Sequence, residues 1–318
     1  MTRIHHNILQ CIGNTPVIRL NRIGQETGCE ILVKFEGVNP GGSIKSRTAL
    51  GMIEAAEAAG LLNKDSIIVE PTSGNQGIGL AMIGAVKGYK VRIVMPESMS
   101  IERRLLMQAY GAELVLVPDA KDIGETIENC MQTALKIAAE DPNVFVPNQF
   151  ANPANPMIHR RTTAAEIIQT VPHLDAYCGG IGTGGTISGV GEILKSTWSS
   201  LKVYSVEPEN AAILEGCELG NHIQMGIGDG LIPPNLNCDI LDGNIIVTDD
   251  EAVCMARRLA REEGILCGIS SGTNTAAAVQ IARKLGPGHV ILTTLADTGE
   301  RYLSTPLYSH LAATTVTR

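Results

Sequence analysis

Short runs rich in β-branched residues alternate with longer amphipathic ones along this chain. Ile31–Phe35, Ile67–Glu70, Val91–Met95, Leu114–Val117, Val144–Pro147, Ala176–Gly179, Val203–Val206 and Val290–Leu295 read as buried strands. Between them, Ser46–Gly60, Asn75–Gly88, Ile101–Tyr110, Asp122–Glu140, Pro153–Thr170, Gly185–Lys195, Asp249–Glu263 and Ser271–Lys284 carry helical periodicity. Gly60, Gly88 and Gly264 stand where helices should stop, and Asp249-Asp250 where one should start. The alternation predicts βαβ crossovers and an α/β fold of mostly parallel sheets with helices on both faces. Divisions are expected near residues 40 and 155, giving a smaller domain over 41–155 and a larger one made of 1–40 plus 156–318.

Composition narrows the choice of partner. Of 318 residues, 44% are hydrophobic and 18% charged, which excludes a disordered or fibrous chain. A net charge of -8 argues against nucleic acid or an anionic membrane surface and leaves a small metabolite as the default. The eight cysteines include no CxxC or zinc-type spacing, so neither a metal nor a disulfide framework is expected. The N-terminus MTRIHHNILQ lacks a signal pattern and no apolar run approaches the ~20 residues of a span, so a cytoplasmic protein is expected. Only 3% of residues are aromatic whereas 34 are glycine, and the glycines cluster where chemistry can be placed.

Four such segments stand out. Gly37–Arg47 is a glycine-containing turn that delivers Lys45 to a helix start, where the positive dipole end and burial both favour the neutral, nucleophilic amine. A solvated surface lysine is the ordinary alternative. Glu70–Gly77 joins a strand to a helix and gathers Thr72, Ser73, Asn75 and backbone N–H groups, which suits a carboxylate; plain N-capping would need only one of them. Gly179–Gly189 is the densest glycine cluster and can hold a phosphate by backbone N–H groups. Gly180, Gly182 and Gly185 also satisfy GxGxxG, with Glu207 about twenty residues on, so a dinucleotide site stays open here. Cys267–Thr273 offers the adjacent hydroxyls of Ser270 and Ser271 before another helix and reads by itself as a cap, as His159 reads by itself as structural.

Taken together, these segments resemble the cysteine synthase (O-acetylserine sulfhydrylase) family of fold-type II pyridoxal-phosphate enzymes, which are tryptophan synthase beta-like. The resemblance runs from Ile12–Pro16 through Gly42–Lys45, Thr72–Asn75, Met95–Arg104 and Asn152–Pro156 to Gly182–Thr186, Gly226–Gly228, Gly268–Gly272 and Asp297–Tyr302. It implies two domains with the active site in the cleft between them, the smaller one mobile. It also implies pyridoxal 5'-phosphate bound as a Schiff base to Lys45, which doubles as the acid/base at the substrate α-carbon. Gly182, Thr183, Gly184, Gly185 and Thr186 would cradle the phosphate, Asn75 the 3-hydroxyl and Ser270 the ring nitrogen. A serine there cannot keep the nitrogen protonated as an aspartate would, which suits β-elimination. The substrate carboxylate would sit on Thr72, Ser73, Gly74, Gln76 and Gln149, with Phe150 and the Gly226–Gly230 segment, Gly226 first, shaping the pocket. The implied reaction forms L-cysteine from O-acetylserine and sulfide by way of an aminoacrylate, with a homodimer and a serine acetyltransferase C-terminal peptide as candidate partners.

The chain departs from the family pattern at Gln76, commonly threonine, at Thr162–Glu166, where Ala164-Ala165 replaces Gly-Pro, and at Ser46, often acidic. The first departure leaves donor and nucleophile open: cysteine as donor, or lanthionine, cystathionine, cyanoalanine or diaminopropionate as product, are the alternatives. A nicotinamide-dependent dehydrogenase would leave Lys45 and the Thr72–Asn75 loop without a task, and an interaction subunit without activity would have no use for them either.

Overall fold

The computed structural model describes residues 4–72, 74–121 and 123–313, so Ser73 and Asp122 lie outside the described residues. Strands β1 (Val17–Arg19) and β2 (Glu30–Phe35) lead through a turn to helix α1 (Lys45–Ala58). There follow β3 (Ile67–Pro71), α2 (Asn75–Lys87), β4 (Lys90–Pro96), α3 (Ile101–Ala109), β5 (Glu113–Val117), α4 (Ile123–Glu140) and β6 (Val144–Phe145). Helices α5 (Ala154–Ile158) and α6 (Ala164–Thr170), joined by a π turn over His159–Thr163, lead to β7 (Ala176–Gly180), α7 (Gly185–Thr197) and β8 (Lys202–Pro208). Then come β9 (Gly243–Val247), α8 (Asp249–Glu262), α9 (Ile269–Leu285) and β10 (Val290–Leu295).

The strands form two sheets. One has the order β1-β2-β10-β7-β8-β9 and is mixed, because β1 runs antiparallel to β2 while its other pairs are parallel. The other, β5-β4-β3-β6, is parallel throughout. The apolar runs explain the choice: Ile68 and Val69 of β3 and Ile93, Val94 and Met95 of β4 are fully buried, as strands covered on both faces must be. Helix α9 is buried along most of its length and packs closely on α8, where Gly272 faces the Ala252 carbonyl and leaves no room for a Cβ. The consequence for function is positional. Loops after β2, β3 and β7 and the start of α9 meet at the carboxyl ends of parallel strands, where open α/β sheets place ligands.

Several local expectations change. β1 and β9 were not foreseen; one has three residues and the other begins Gly-Asn, so neither carries a strong strand pattern. The helix expected over Pro153–Thr170 contains the π turn, which turns His159 and Thr163 inward together. Helix α8 is opened by Thr248 and not by Asp249-Asp250: the Thr248 hydroxyl accepts from the Glu251 N–H, and the Glu251 carboxylate accepts the Thr248 N–H at 2.9 Å.

Candidate active site

Lys45 is the first residue of α1, and its turn is pinned to the end of β10. The Ile44 N–H donates to the Ala296 carbonyl at 2.8 Å, Ser43 bridges Asp297, and the Lys45 N–H donates to the Ser43 hydroxyl at 3.3 Å. Gly41 and Gly42 have φ of 80° and 70°, and a side chain on Gly42 would run into the Arg301 guanidinium. The amine faces a cavity between the two sheets. Burial lowers the Lys45 pKa, opposed by the negative charges of Asp229 and Asp297. The neutral amine is therefore more accessible than in a surface lysine.

Opposite stands the start of α7. Gly182 passes so close to the Gly226 carbonyl that a Cβ would overlap it, Gly184 has φ of 74° against the Leu236 backbone, and Gly185 abuts the Asn155 amide. The Asn155 amide donates to the Thr183 hydroxyl at 2.9 Å and to the Gln149 carbonyl at 2.8 Å. Thr186 contacts His159 Nε2 at 3.3 Å, and the same ring meets Thr48 at 3.2 Å and Thr163 at 2.9 Å. Burial, reinforced by the charges of Arg47 and Lys45, holds His159 well below its ordinary pKa, so it is a neutral tie between α1 and α7. The side chains thus bond one another, while the first-turn N–H groups of α7 have no intrahelical acceptor at the place where Gly182, Thr183, Gly184 and Thr186 line the cavity. Such a helix start has the donors and the room to receive a phosphate. Ser270, buried in the first turn of α9, brings an uncharged hydroxyl to the same cavity. Donor set, glycine cradle and buried amine fit pyridoxal phosphate. A dinucleotide fits less well, because Glu207 is occupied by the Leu214 N–H at 3.3 Å and the Asn244 amide at 2.7 Å.

The third wall is the loop entering α2. Its N-cap is Gly74, at φ of 152°, and no side chain caps the helix among the described residues. The Thr72 hydroxyl accepts from the Gly74 N–H at 3.2 Å; Ser73 lies outside the described residues. Asn75 Nδ2 donates to Asp297 at 2.7 Å while its Oδ1 accepts from Arg301 at 2.7 Å, which fixes the amide and leaves one N–H to give. Gln149 is positioned from behind: the Glu70 carboxylate accepts the N–H groups of Asn148 at 2.8 Å and Gln149 at 2.9 Å. Burial raises Glu70 to about 7 in spite of those two bonds.

Lys45, Thr72, Asn75, Gln76, Gln149 and Phe150 line this one cavity together with Gly182, Thr183, Gly184, Thr186, Gly226 and Ser270. Gly74 and Gly185 stand behind it, packed on Arg103 and Asn155. Sequence reasoning missed Arg103 and Met225, which also line it, and an apolar end formed by Pro96, Ile127, Cys130 and Met131; Asp229, inside the expected Gly226–Gly230 segment, lines it too. Asp229 sits between two glycines of the Gly226–Gly230 segment, a lone acid whose pKa burial raises against the pull of Lys45 and His222.

The family model described as pyridoxal-phosphate dependent enzyme matches residues 8–297. A cysteine synthase of Staphylococcus aureus is 49% identical over 305 residues, spanning 95% of this chain and 97% of that protein. Among solved structures, O-ureido-L-serine synthase superposes with a TM-score of 0.90 at 41% identity, covering 96% of each chain. A hydrogen sulfide-producing enzyme from Fusobacterium nucleatum gives 0.90 at 42% identity, covering 94% of this chain and 100% of the other.

Proposed function

We propose the following chemistry on the premise that this chain belongs to the pyridoxal-phosphate dependent enzyme family, as a homologue of cysteine synthases. The reaction is β-replacement: O-acetyl-L-serine and sulfide give L-cysteine and acetate. The observation that carries it is the buried amine of Lys45, with its lowered pKa, facing the N-terminus of α7 across one cavity. Bound pyridoxal 5'-phosphate supplies the electron sink that makes the substrate α-proton removable.

The residues divide the remaining work. Gly182, Thr183, Gly184, Gly185 and Thr186 would hold the phosphate, the free N–H of Asn75 the ring 3-hydroxyl, and Ser270 the ring nitrogen, where a hydroxyl would leave the nitrogen uncharged and so suit loss of a β-substituent. Thr72, Ser73, Gly74, Gln76 and Gln149 receive the α-carboxylate, Glu70 keeping Gln149 in place. Lys45 anchors the cofactor at rest, takes the α-proton and returns it. Phe150 and Gly226 bound the side-chain space. Residues 41–155 act as a mobile unit closing over the substrate and excluding water, against the unit made of 1–40 and 156–318. The working protein is a cytoplasmic homodimer, and a serine acetyltransferase C-terminal peptide is a candidate occupant of the same carboxylate site.

The test is product analysis. O-acetyl-L-serine and sulfide should yield L-cysteine with the wild type and not with Lys45→Ala; failure of the wild type to form L-cysteine from this pair overturns the assignment.

A further inference from the structure

Asp297 stands just beyond β10 and is wholly buried. Its Oδ2 accepts twice, from the Asn75 amide at 2.7 Å and from the Tyr302 hydroxyl at 2.6 Å. Its Oδ1 has no hydrogen-bond partner among the described residues and faces Gly268, where a Cβ would overlap it. No ion pair to this carboxylate forms among the described residues either. Arg301, four residues on, is used elsewhere: its Nη1 donates to Asn75 Oδ1 at 2.7 Å and its Nη2 to the Gly41 carbonyl at 3.0 Å. A buried carboxylate without a cation is costly, so its surroundings favour a positive charge brought near it. The lysine turn is tied to this same corner, through the Ser43–Asp297 bridge and the bond from the Ile44 N–H to the Ala296 carbonyl. Lys45 lies within the field of Asp297, whose charge opposes the effect of burial on the amine.

We infer that Asp297 is a positioning residue that keeps a proton on Lys45 Nζ while that nitrogen carries the cofactor; this rests on Lys45 anchoring pyridoxal phosphate, as read above. Its two oxygens divide the work. Oδ2 fixes the Asn75 amide, whose other N–H stays free for the cofactor ring. The charge, uncancelled by any hydrogen bond at Oδ1, acts through space on the lysine nitrogen. The start of α9, with Gly268 as its N-cap, faces Oδ1 and favours a negative charge at that spot. A proton on the linked nitrogen draws electrons from the carbon that an arriving amine must reach, so the resting enzyme stays open to its substrate. Asp229 of the Gly226–Gly230 segment also acts on Lys45, and His159, Cys267, Arg103 and Tyr302 are further titratable or charged groups around the pair.

The test is a pH titration of the absorbance of the cofactor-loaded protein without substrate. The visible band of the protonated linkage should give way to that of the unprotonated one about one pH unit lower in Asp297→Asn than in the wild type. The asparagine keeps an oxygen to accept from Asn75 and Tyr302, so it removes charge more than contact. Tyr302→Phe does the converse, breaking a buried hydrogen bond and sparing the charge, and its midpoint should stay near that of the wild type. Asp297→Ser removes the same charge with a smaller side chain and should repeat the displacement where the asparagine variant does not fold. Equal midpoints in the wild type and the uncharged variants, or a displacement in Tyr302→Phe as large as in Asp297→Asn, overturn the inference. Where the wild-type midpoint lies above the range in which the protein stays folded, the uncharged variants should bring the transition into that range, and no transition in any of them overturns it. Borohydride trapping of the wild type separates the two readings: label on Lys45 with unmoved midpoints defeats the role of Asp297 alone, whereas label elsewhere defeats the anchor.

Discussion

On the α7 side of the cavity most polar side chains already bond one another: Asn155 holds Thr183 while its own Oδ1 stays unpartnered among the described residues, and His159 joins Thr186 to Thr48 and Thr163. On the α2–α3 side, the Gln76 side-chain amide has no hydrogen-bond partner among the described residues and Arg103 rests on a thioether and a ring face. The first wall is assembled before any ligand arrives and suits a resident cofactor. The second is left open and suits molecules that come and go, because a satisfied wall would have to break bonds at each turnover.

The largest expected effect separates the chemistry from both walls. Lys45→Ala removes the anchor and the proton carrier together, so turnover should fall at least about a thousandfold in a product assay. Residual activity within tenfold of wild type would transfer those tasks elsewhere.

Next comes the finished wall. Gly185→Val drives a side chain into the Asn155 amide and displaces its bonds to Thr183 and Gln149. Overpacking of this kind costs about 1–3 kcal/mol, readable by denaturant unfolding, and cofactor retention on dialysis should drop with it. The open wall should respond with the opposite sign. Gln76→Met removes an amide that the ligand-free protein buries unpaired, so stability should rise by up to about 1 kcal/mol while KM for O-acetyl-L-serine increases. Destabilisation of similar size in both variants would erase the contrast.

The legibility of the two walls from sequence differs in the same way. Lys45, the Gly182–Thr186 cradle and the Thr72–Asn75 loop are local: each is a strand-to-helix turn whose small residues are adjacent in the chain, and the two sheets followed from apolar alternation. Arg103 gave no such signal. It lies on an amphipathic helix like any surface arginine, and it is buried by Met225 and Tyr302, which follow β8 and β10 in the chain, and by Gly74. Asp229 is likewise a lone acid until the loop around it folds against Lys45. The buried Lys34–Glu166–Arg47–Glu36 cluster behind the lysine turn joins residues more than 100 positions apart, beyond the reach of periodicity or motif.

The smallest effect concerns two carboxylates with opposite pH signatures. Burial raises Glu70 to about 7, so the native state binds a proton that the unfolded chain gives up near 4.5. Its contribution makes stability fall as pH rises from about 4.5 to about 7. Burial pushes Glu166 up too, but Arg47 and Lys34 outweigh it and hold the group at about 2. Its stabilisation is therefore present above about 4.5 and is lost as pH falls towards 2. Thermal midpoints across this range should change slope in Glu70→Gln between pH 4.5 and 7 and in Glu166→Gln below 4.5; a common window for both would be inconsistent with their surroundings.

Borohydride reduction of the protein loaded with pyridoxal phosphate, followed by peptide mapping, bears on the whole arrangement at once. The pyridoxyl mass should appear on the peptide that contains Lys45, leave the other lysines unmodified and be missing in Lys45→Ala. Label on Lys34 or any other lysine, or cofactor recovered intact from an unlabelled protein, would contradict an active site built between these two walls.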